Sequence, residues 1–413
     1  MSRTRPAGGD GVRRRPKDRK AQIARASAEA FSTLGFHGVS MESIASRVGI
    51  SAAALYRHYA SKYDLFRDAV LSLGQQLVDA TAFAGESDDP QLELNRLVAA
   101  LTDTAMANRE SGGLYRWEGR YLRGDDQASL IAQMRTVHHR IQRPLSTLRP
   151  ELSSPQRWTL SIAVLSVIGS IVDHRAKLPA VQVRALLADL SAAVLTSELP
   201  DIDPDQAAER PVASVPTSAE PSKYEALLNE SMRLFNINGY RDTGMEDIAA
   251  AVGMPASGIY RYFAGKSDIL AAAFRRAADR LSDELTAITG SIADPEDALS
   301  AVIDAYVARS FAQPELDYVY YTERLNMSPT DQKILRNMQR GTVESWVSLV
   351  VAMRPEWTPG QARFAVHAAM SLVIDLGRLM RYANTPQNRL VLQRLLDVTL
   401  LGRYRLRATL PAK

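Results

Sequence analysis

Apolar residues recur at three- and four-residue spacing along almost the whole chain, as in Leu92, Leu94, Leu97, Val98 and Leu101, or Leu390, Leu392, Leu395, Leu396 and Val398. That is the period of an amphipathic helix. Hardly any stretch alternates with the period of two that a half-buried strand requires, so the pattern predicts an all-α protein. Met41–Val48 places Met41, Ile44, Ala45 and Val48 on one helical face, and Gly49 then breaks the helix. Ser51 is positioned to cap a second helix running to Tyr59. A preceding helix is predicted over residues 18–34, ending at Gly35 with Phe31 and Phe36 as core anchors. Two short helices joined by a tight glycine-containing turn form a helix-turn-helix. Ser61-Lys62 opens a fourth helix, where backbone N–H groups and a lysine can hold a phosphate.

The same pattern returns 204 positions later. Residues 31–65 and 235–269 share 14 identities in 35 ungapped positions, among them Phe31/Phe235, Gly35/Gly239, Met41/Met245, Tyr56/Tyr260, Arg57/Arg261 and Lys62/Lys266. Such an offset is too long for a solenoid repeat and indicates two copies of a whole domain. Ser154-Pro155 and Thr358-Pro359 stand at the same offset, each reading as a hydroxyl cap followed by proline in the first turn. Long apolar helices follow both. Residues 199–221 hold five prolines and almost no large apolar side chains, a linker whose 23 residues could reach roughly 70 Å. The expected layout is a disordered basic arm (1–16), a first helix-turn-helix domain (17–68), a first helical regulatory domain (69–198), the linker, a second helix-turn-helix domain (222–272) and a second regulatory domain (273–413).

Charge adds the arm. Net charge is +4 over 413 residues, but residues 1–25 alone carry nine basic and two acidic side chains, +7, leaving −3 for the rest. An exposed cationic tail suits nucleic acid or an anionic surface, with a solubilising tail as the alternative. Cysteine is absent, which excludes disulfides and thiolate metal sites. The first 20 residues contain no apolar core of a signal peptide. The longest near-apolar run, Trp158–Val172, is too short to span a bilayer. The chain therefore reads as soluble and cytoplasmic, with no membrane partner. His138-His139 are adjacent rather than four apart, so they do not form a metal pair. No phosphate-cradling glycine loop, nucleophile elbow or HExxH occurs; no enzyme, cofactor or metal is expected.

The shared motif G-x-x-x-x-x-[LI]-Y-R-x-[YF]-x-x-K, carried by GFHGVSMESIASRVGISAAALYRHYASKYDL and GYRDTGMEDIAAAVGMPASGIYRYFAGKSDI, resembles the TetR/AcrR family of bacterial regulators. The resemblance implies two fused modules, each a three-helix DNA-binding domain followed by a helical ligand-binding and dimerisation domain. It implies that the second helix of each pair enters the major groove of an operator. In the first copy the DNA-binding set is then Ser40, Ser51, Ala52, Ala54, Tyr56, Arg57, His58 and Lys62, with Arg13, Arg14, Arg15 and Lys17 of the arm. In the second it is Ala256, Ser257, Tyr260, Arg261, Tyr262 and Lys266. Alanine methyls can pack on thymine methyls, while Arg57 and Tyr56 can reach guanine or phosphate. Gly244 and Pro255 replace Ser40 and Ser51, and no basic arm precedes the second copy, so the second head is expected to bind more weakly. By the same resemblance, Tyr115, Trp117, Glu118 and Tyr121, and Tyr318, Tyr321 and Glu323, line pockets for an apolar inducer, of lipid or acyl type by a looser likeness to tandem actinobacterial regulators of lipid-import genes. The alternative for these clusters is helix-packing aromatics. The function implied is a ligand-relieved repressor acting as a single-chain pseudo-dimer on an asymmetric operator, built on a bundle from 154–198 and 358–404. A homodimer, a small-molecule-binding or interaction scaffold with degenerate heads, and a non-specific DNA-coating protein are the alternatives.

Overall fold

The computed structural model describes residues 16–200 and 222–402, with side chains from Arg19 onward in the first segment. Arg13, Arg14 and Arg15, and most of the linker, lie outside the described residues. Among the described residues every regular element is a helix, and no helix is long and apolar enough to cross a membrane. The chain divides into two compact units, residues up to 75 with 110–130, and residues 76–109 with 131 onward.

The first unit is built on α1 (Pro16–Gly38), α2 (Met41–Val48), α3 (Ala52–Tyr56) and the start of α4 (Lys62–Ala80). Gly35 interrupts α1 with φ 72° and ψ 163°, a left-handed φ that glycine adopts without steric cost. Gly49 ends α2 in the left-handed conformation. Phe31, Phe36 and Phe66 meet with centroids 4.7–6.2 Å apart, and Ile44, Ala45 and Leu55 close the core beneath them. Into the same unit fold a π-turn (Leu114–Glu118), a 3-10 turn (Gly119–Tyr121) and the beginning of α6 (Gly124–Leu148).

The second unit contains α5 (Pro90–Ala107), the rest of α6, α7 (Ser154–Gly169) and α8 (Ala180–Leu195). After the linker come α9 (Lys223–Asn238), α10 (Met245–Ala251), α11 (Ala256–Ile259), α12 (Lys266–Ser291), α13 (Pro295–Ala312), α14 (Pro314–Glu323), α15 (Pro329–Met353), α16 (Pro359–Leu379) and α17 (Pro386–Leu401). α9–α12 repeat the plan of α1–α4 around Leu228, Phe235, Ile248, Ile259 and Leu270. α7 packs on both α8 and α16, and α17 packs on both α8 and α16. Their shared surface is apolar, with Leu160, Val164 and Val167 of α7 and Phe364, Ala368 and Leu372 of α16 fully buried.

The register of the second repeat element differs from the sequence expectation. α7 is capped by Ser153, not Ser154: Ser153 Oγ accepts from the Gln156 N–H, and Gln156 Oε1 accepts from the Ser153 N–H. Thr358 and Gln361 make the same capping box on α16. The offset of the back elements is therefore 205. It is also the offset between Arg149–Glu151 and Arg354–Glu356, two ion pairs of 2.6 and 2.8 Å. Ser166 and Ser371, at that same offset, share a buried hydrogen bond of 3.2 Å between α7 and α16. Equivalent positions of the two halves thus meet face to face.

Candidate nucleic-acid interface

The first reading head is held by serine caps. Ser40 and Ser43 form a reciprocal capping box at the start of α2 (3.1 and 3.2 Å), and Ser51 Oγ accepts from the Ala54 N–H at 3.1 Å to start α3. Leu55 turns into the core, so the remaining faces of α3 point outward. Tyr56, Arg57 and His58 are exposed together, with Tyr56 49% accessible; Ala52 and Ala54 are half-buried beside them. Tyr59 faces inward and donates to Asp68 Oδ2 at 2.8 Å, and burial with that bond raises its hydroxyl pKa. Lys62 places its ammonium 4.6 Å above the Phe36 ring.

The second head repeats this frame with different chemistry. Gly244 offers no side-chain cap; instead Asp247 Oδ2 accepts its N–H at 2.7 Å. Pro255 starts α11 without a cap bond. Tyr260, Arg261, Tyr262 and Ser257 are exposed and Ala256 half-buried. Lys266 donates to the carbonyls of Tyr240 (2.6 Å), Arg241 (3.1 Å) and Thr243 (2.7 Å), and burial followed by the nearby Arg241 charge lowers its pKa. An ammonium has three protons, so these three carbonyls occupy the donors that the sequence assigned to phosphate. Over residues 19–65 the first head carries six basic and three acidic side chains, +3; over the matching 223–269 the second carries five and six, −1. Asp242 and Asp247 stand where the first head has Gly38 and Ser43, and Ala251 where it has Arg47.

The residues assigned to inducer pockets divide between two roles. Trp117 and Glu118 are buried in the π-turn, and Glu118 Oε2 accepts the Phe36 N–H at 2.8 Å. Tyr121 stacks on Phe36 (5.7 Å) and meets His37 edge-on (4.9 Å), while Tyr115 is only half-buried. Glu118 and Tyr121 thus both lie on the end of α1. In the second half Tyr321 lies with Asp317, Tyr306 and Tyr382, two of which the sequence reading passed over along with Asp317. Ser310 donates to Asp317 Oδ2 at 2.8 Å, and burial raises the Asp317 carboxyl pKa. Tyr382, at φ 50°, reaches this cluster because Gly377 has no side chain: a Cβ there would lie 2.3 Å from its ring. That glycine, five residues before an aromatic, is the faint signal sequence could have offered. Tyr318 lies under Arg378 (5.1 Å), and Glu323 is buried near Tyr240.

Both heads, residues 23–69 and 227–273, match the family described as bacterial regulatory proteins, tetR family. The DNA-binding module of the TetR family is thus present twice in this chain. It is similar to the HTH-type transcriptional activator FasR of Mycolicibacterium smegmatis, 41% identical over 64 residues, 15% of this chain and 29% of that relative. The match thus spans less than a third of the curated relative. Among solved structures it is similar to a TetR-family regulator from Bordetella parapertussis 12822 (18% identity, 46% of this chain and 100% of that one, TM-score 0.39). It is likewise similar to the ketosteroid regulator KstR2 of Mycobacterium tuberculosis (20% identity, 45% and 97%, TM-score 0.39).

Proposed function

We propose that this TetR-family protein is a sequence-specific DNA-binding regulator, a ligand-relieved repressor that acts as a single-chain pseudo-dimer on an asymmetric operator in the cytoplasm. The observation that carries the reading is the packing of α7 and α8 on α16 and α17 within one chain, with Ser166 and Ser371, equivalent in the two halves, hydrogen-bonded to each other. An isologous contact brings equivalent residues together about a two-fold axis. Here both partners belong to one polypeptide, so two reading heads are supplied without a second chain. Because the recognition helices differ, AAALY against ASGI, the two half-sites differ as well.

The heads contribute unequally. In the first, Tyr56, Arg57 and His58 read the groove, Ala52 and Ala54 pack on thymine methyls, and Ser40, Ser51 and Lys62 approach phosphates, aided by Arg13, Arg14, Arg15 and Lys17. In the second, Tyr260, Arg261, Tyr262, Ala256 and Ser257 remain available, while Lys266 holds the loop 240–243 in shape rather than a phosphate. The inducer is an apolar molecule with a polar group, taken up between the helices of the second regulatory domain, where Tyr306, Tyr321 and Tyr382 surround Asp317.

The test combines solution mass with a footprint on the DNA flanking the protein's own gene. One chain per asymmetric site is expected; two chains on a strict palindrome overturn the pseudo-dimer. A promoter fusion assigns the sign of regulation, and loss of expression on deleting the gene would make it an activator, as FasR is named. Equal affinity for any sequence, with a steep salt slope, would instead mark a DNA-coating protein.

A further inference from the structure

Between α5 and α6 the first half makes two successive turns that are not α-helical, the π-turn Leu114–Glu118 and the 3-10 turn Gly119–Tyr121. Turns of both kinds are short departures from α geometry, and π-turns concentrate at functional places. Glu118 closes the first of them, buried at 6% accessibility. Its Oε2 accepts the Phe36 N–H at 2.8 Å, the amide immediately after Gly35, where α1 leaves the helical conformation. A carboxylate on a backbone N–H is a charge-assisted bond, and losing it strands a buried charge. Tyr121 from the adjoining turn stacks on the ring of that same Phe36, and the ammonium of Lys62, the first residue of α4, lies 4.6 Å over that ring. One residue at the end of α1 is thus gripped by the turn that belongs, in sequence, to the regulatory domain. Residues 110–130 accordingly cluster with the head rather than with the helices they connect.

The second half places a glutamate at the matching position, at an offset of 205, where its Oε2 accepts from the Asn326 side-chain amide at 2.7 Å. Glu323 ends α14, is 2% accessible, and is followed at once by a 3-10 turn, Arg324–Asn326. α14 packs on α9. Beside Glu323 stands Tyr240, the counterpart of Phe36 and again the residue after a left-handed glycine, Gly239 at φ 87°. Lys266, counterpart of Lys62, lies 4.8 Å over the Tyr240 ring and donates to the Tyr240 carbonyl.

We propose that Glu118 is a positioning residue that ties the end of its head's first helix to the regulatory domain, so that a shift of the turn carrying the glutamate re-aims the recognition helix, with Glu323 at the matching place in the second half. A buried carboxylate cannot trade its amide for water without large cost, so the head follows the turn. The proposal rests on the DNA-binding reading for its consequence, but the tie is a property of the free protein.

The chain has no cysteine, so Ser46→Cys on α2 and Gln91→Cys on α5, both exposed, accept a spin-label pair uniquely in the full chain. The distance distribution is measured without DNA for the parent, Glu118→Gln and Glu118→Ala, alongside melting temperature and affinity for the DNA flanking the gene. Glu118→Gln keeps the size of the side chain and so keeps the fold. A broadened distribution in both variants, widest for alanine, with affinity reduced ten-fold or more and the glutamine variant's melting temperature nearly unchanged, is the expected result. An unchanged distribution, whatever happens to the melting temperature, overturns the proposal and leaves Glu118 a structural residue. Should the parent bind no DNA while the variants still broaden, the tie stands and the DNA-binding reading falls.

Discussion

At the level of single residues the two heads are a natural experiment on one backbone. Arg57 and Arg261 occupy matching exposed positions, yet the first sits in a head of net charge +3 and the second in one of −1. Association with DNA is dominated by neutralisation of phosphates, so the same arginine matters more where its neighbours already hold the duplex. Replacing Arg57 by alanine is expected to weaken operator binding by about 1–3 kcal/mol, and Arg261→Ala by less than half of that. Titration of both variants by fluorescence anisotropy at fixed salt checks it, and equal losses would show the heads to be equivalent. Asp247 offers the converse. Its carboxylate sits on the Gly244 N–H at 2.7 Å, at a position where the first head has a serine. Asp247→Ser is expected to tighten binding several-fold and to steepen the dependence on salt. No change in the salt slope would mean that the second head does not approach the phosphates.

The elements show what was legible and why the rest was not. Helices α1–α4 follow from the apolar period, from Gly35 and Gly49, and from the serines ahead of α2 and α3; each of these signals is local, and α2 and α3 start directly after the serines that cap them, while α1 runs on past Gly35 to Gly38. The predicted second helix ran to Tyr59, whereas α3 stops at Tyr56 and continues as turns, with the Tyr59 hydroxyl turned inward to Asp68. That bond is tertiary and leaves no local trace. The register of the back half was legible but misread. The segments Arg149-Pro150-Glu151 and Arg354-Pro355-Glu356 are identical at an offset of 205, yet Ser154-Pro155 looked like Thr358-Pro359 and hid the extra residue. Glu118 was legible as a functional candidate and not as a contact of Phe36, since nothing local says which way a π-turn faces. Capping can be tested on its own. Ser51→Ala removes the bond to the Ala54 N–H and is expected to destabilise the first head by about 1 kcal/mol. Amide exchange over residues 41–59 reads this directly, and unchanged protection would show that α3 is held by Leu55 alone.

Across the whole chain, the junction between the halves has a proton dependence that follows from its own side chains. His174, just after the 3-10 turn Ser170–Val172, stacks on His367 of α16 with centroids 4.1 Å apart and planes 10° from parallel. The edge of Phe364 closes one side. Nδ1 of His174 accepts the Ala176 N–H at 3.1 Å, and its Nε2 is buried with no partner among the described residues. Arg109, Arg175 and Arg363 lie close by, with Arg363 held by Glu344 at 2.6 and 2.7 Å. Burial first, and these cations after it, push the pKa of His367 down to about 4 and that of His174 well below 6.5. Both rings are therefore neutral in the folded protein at neutral pH. The unfolded chain takes up protons at these residues as pH falls through about 6.5, and the folded chain does not. Stability from this junction is thus fully present above 6.5 and declines as pH falls below it, the His367 part of the decline ending near 4, where folded His367 also protonates. His367 contributes on the order of 3 kcal/mol to that loss. Denaturant unfolding at pH 7.5, 6.0 and 4.5 should show the decline, and His367→Gln should flatten it while lowering the pH 7.5 value slightly. A variant whose decline is as steep as the parent's would place the acid sensitivity elsewhere, with half-buried His138, whose pKa is also pushed to about 4, the next residue to replace.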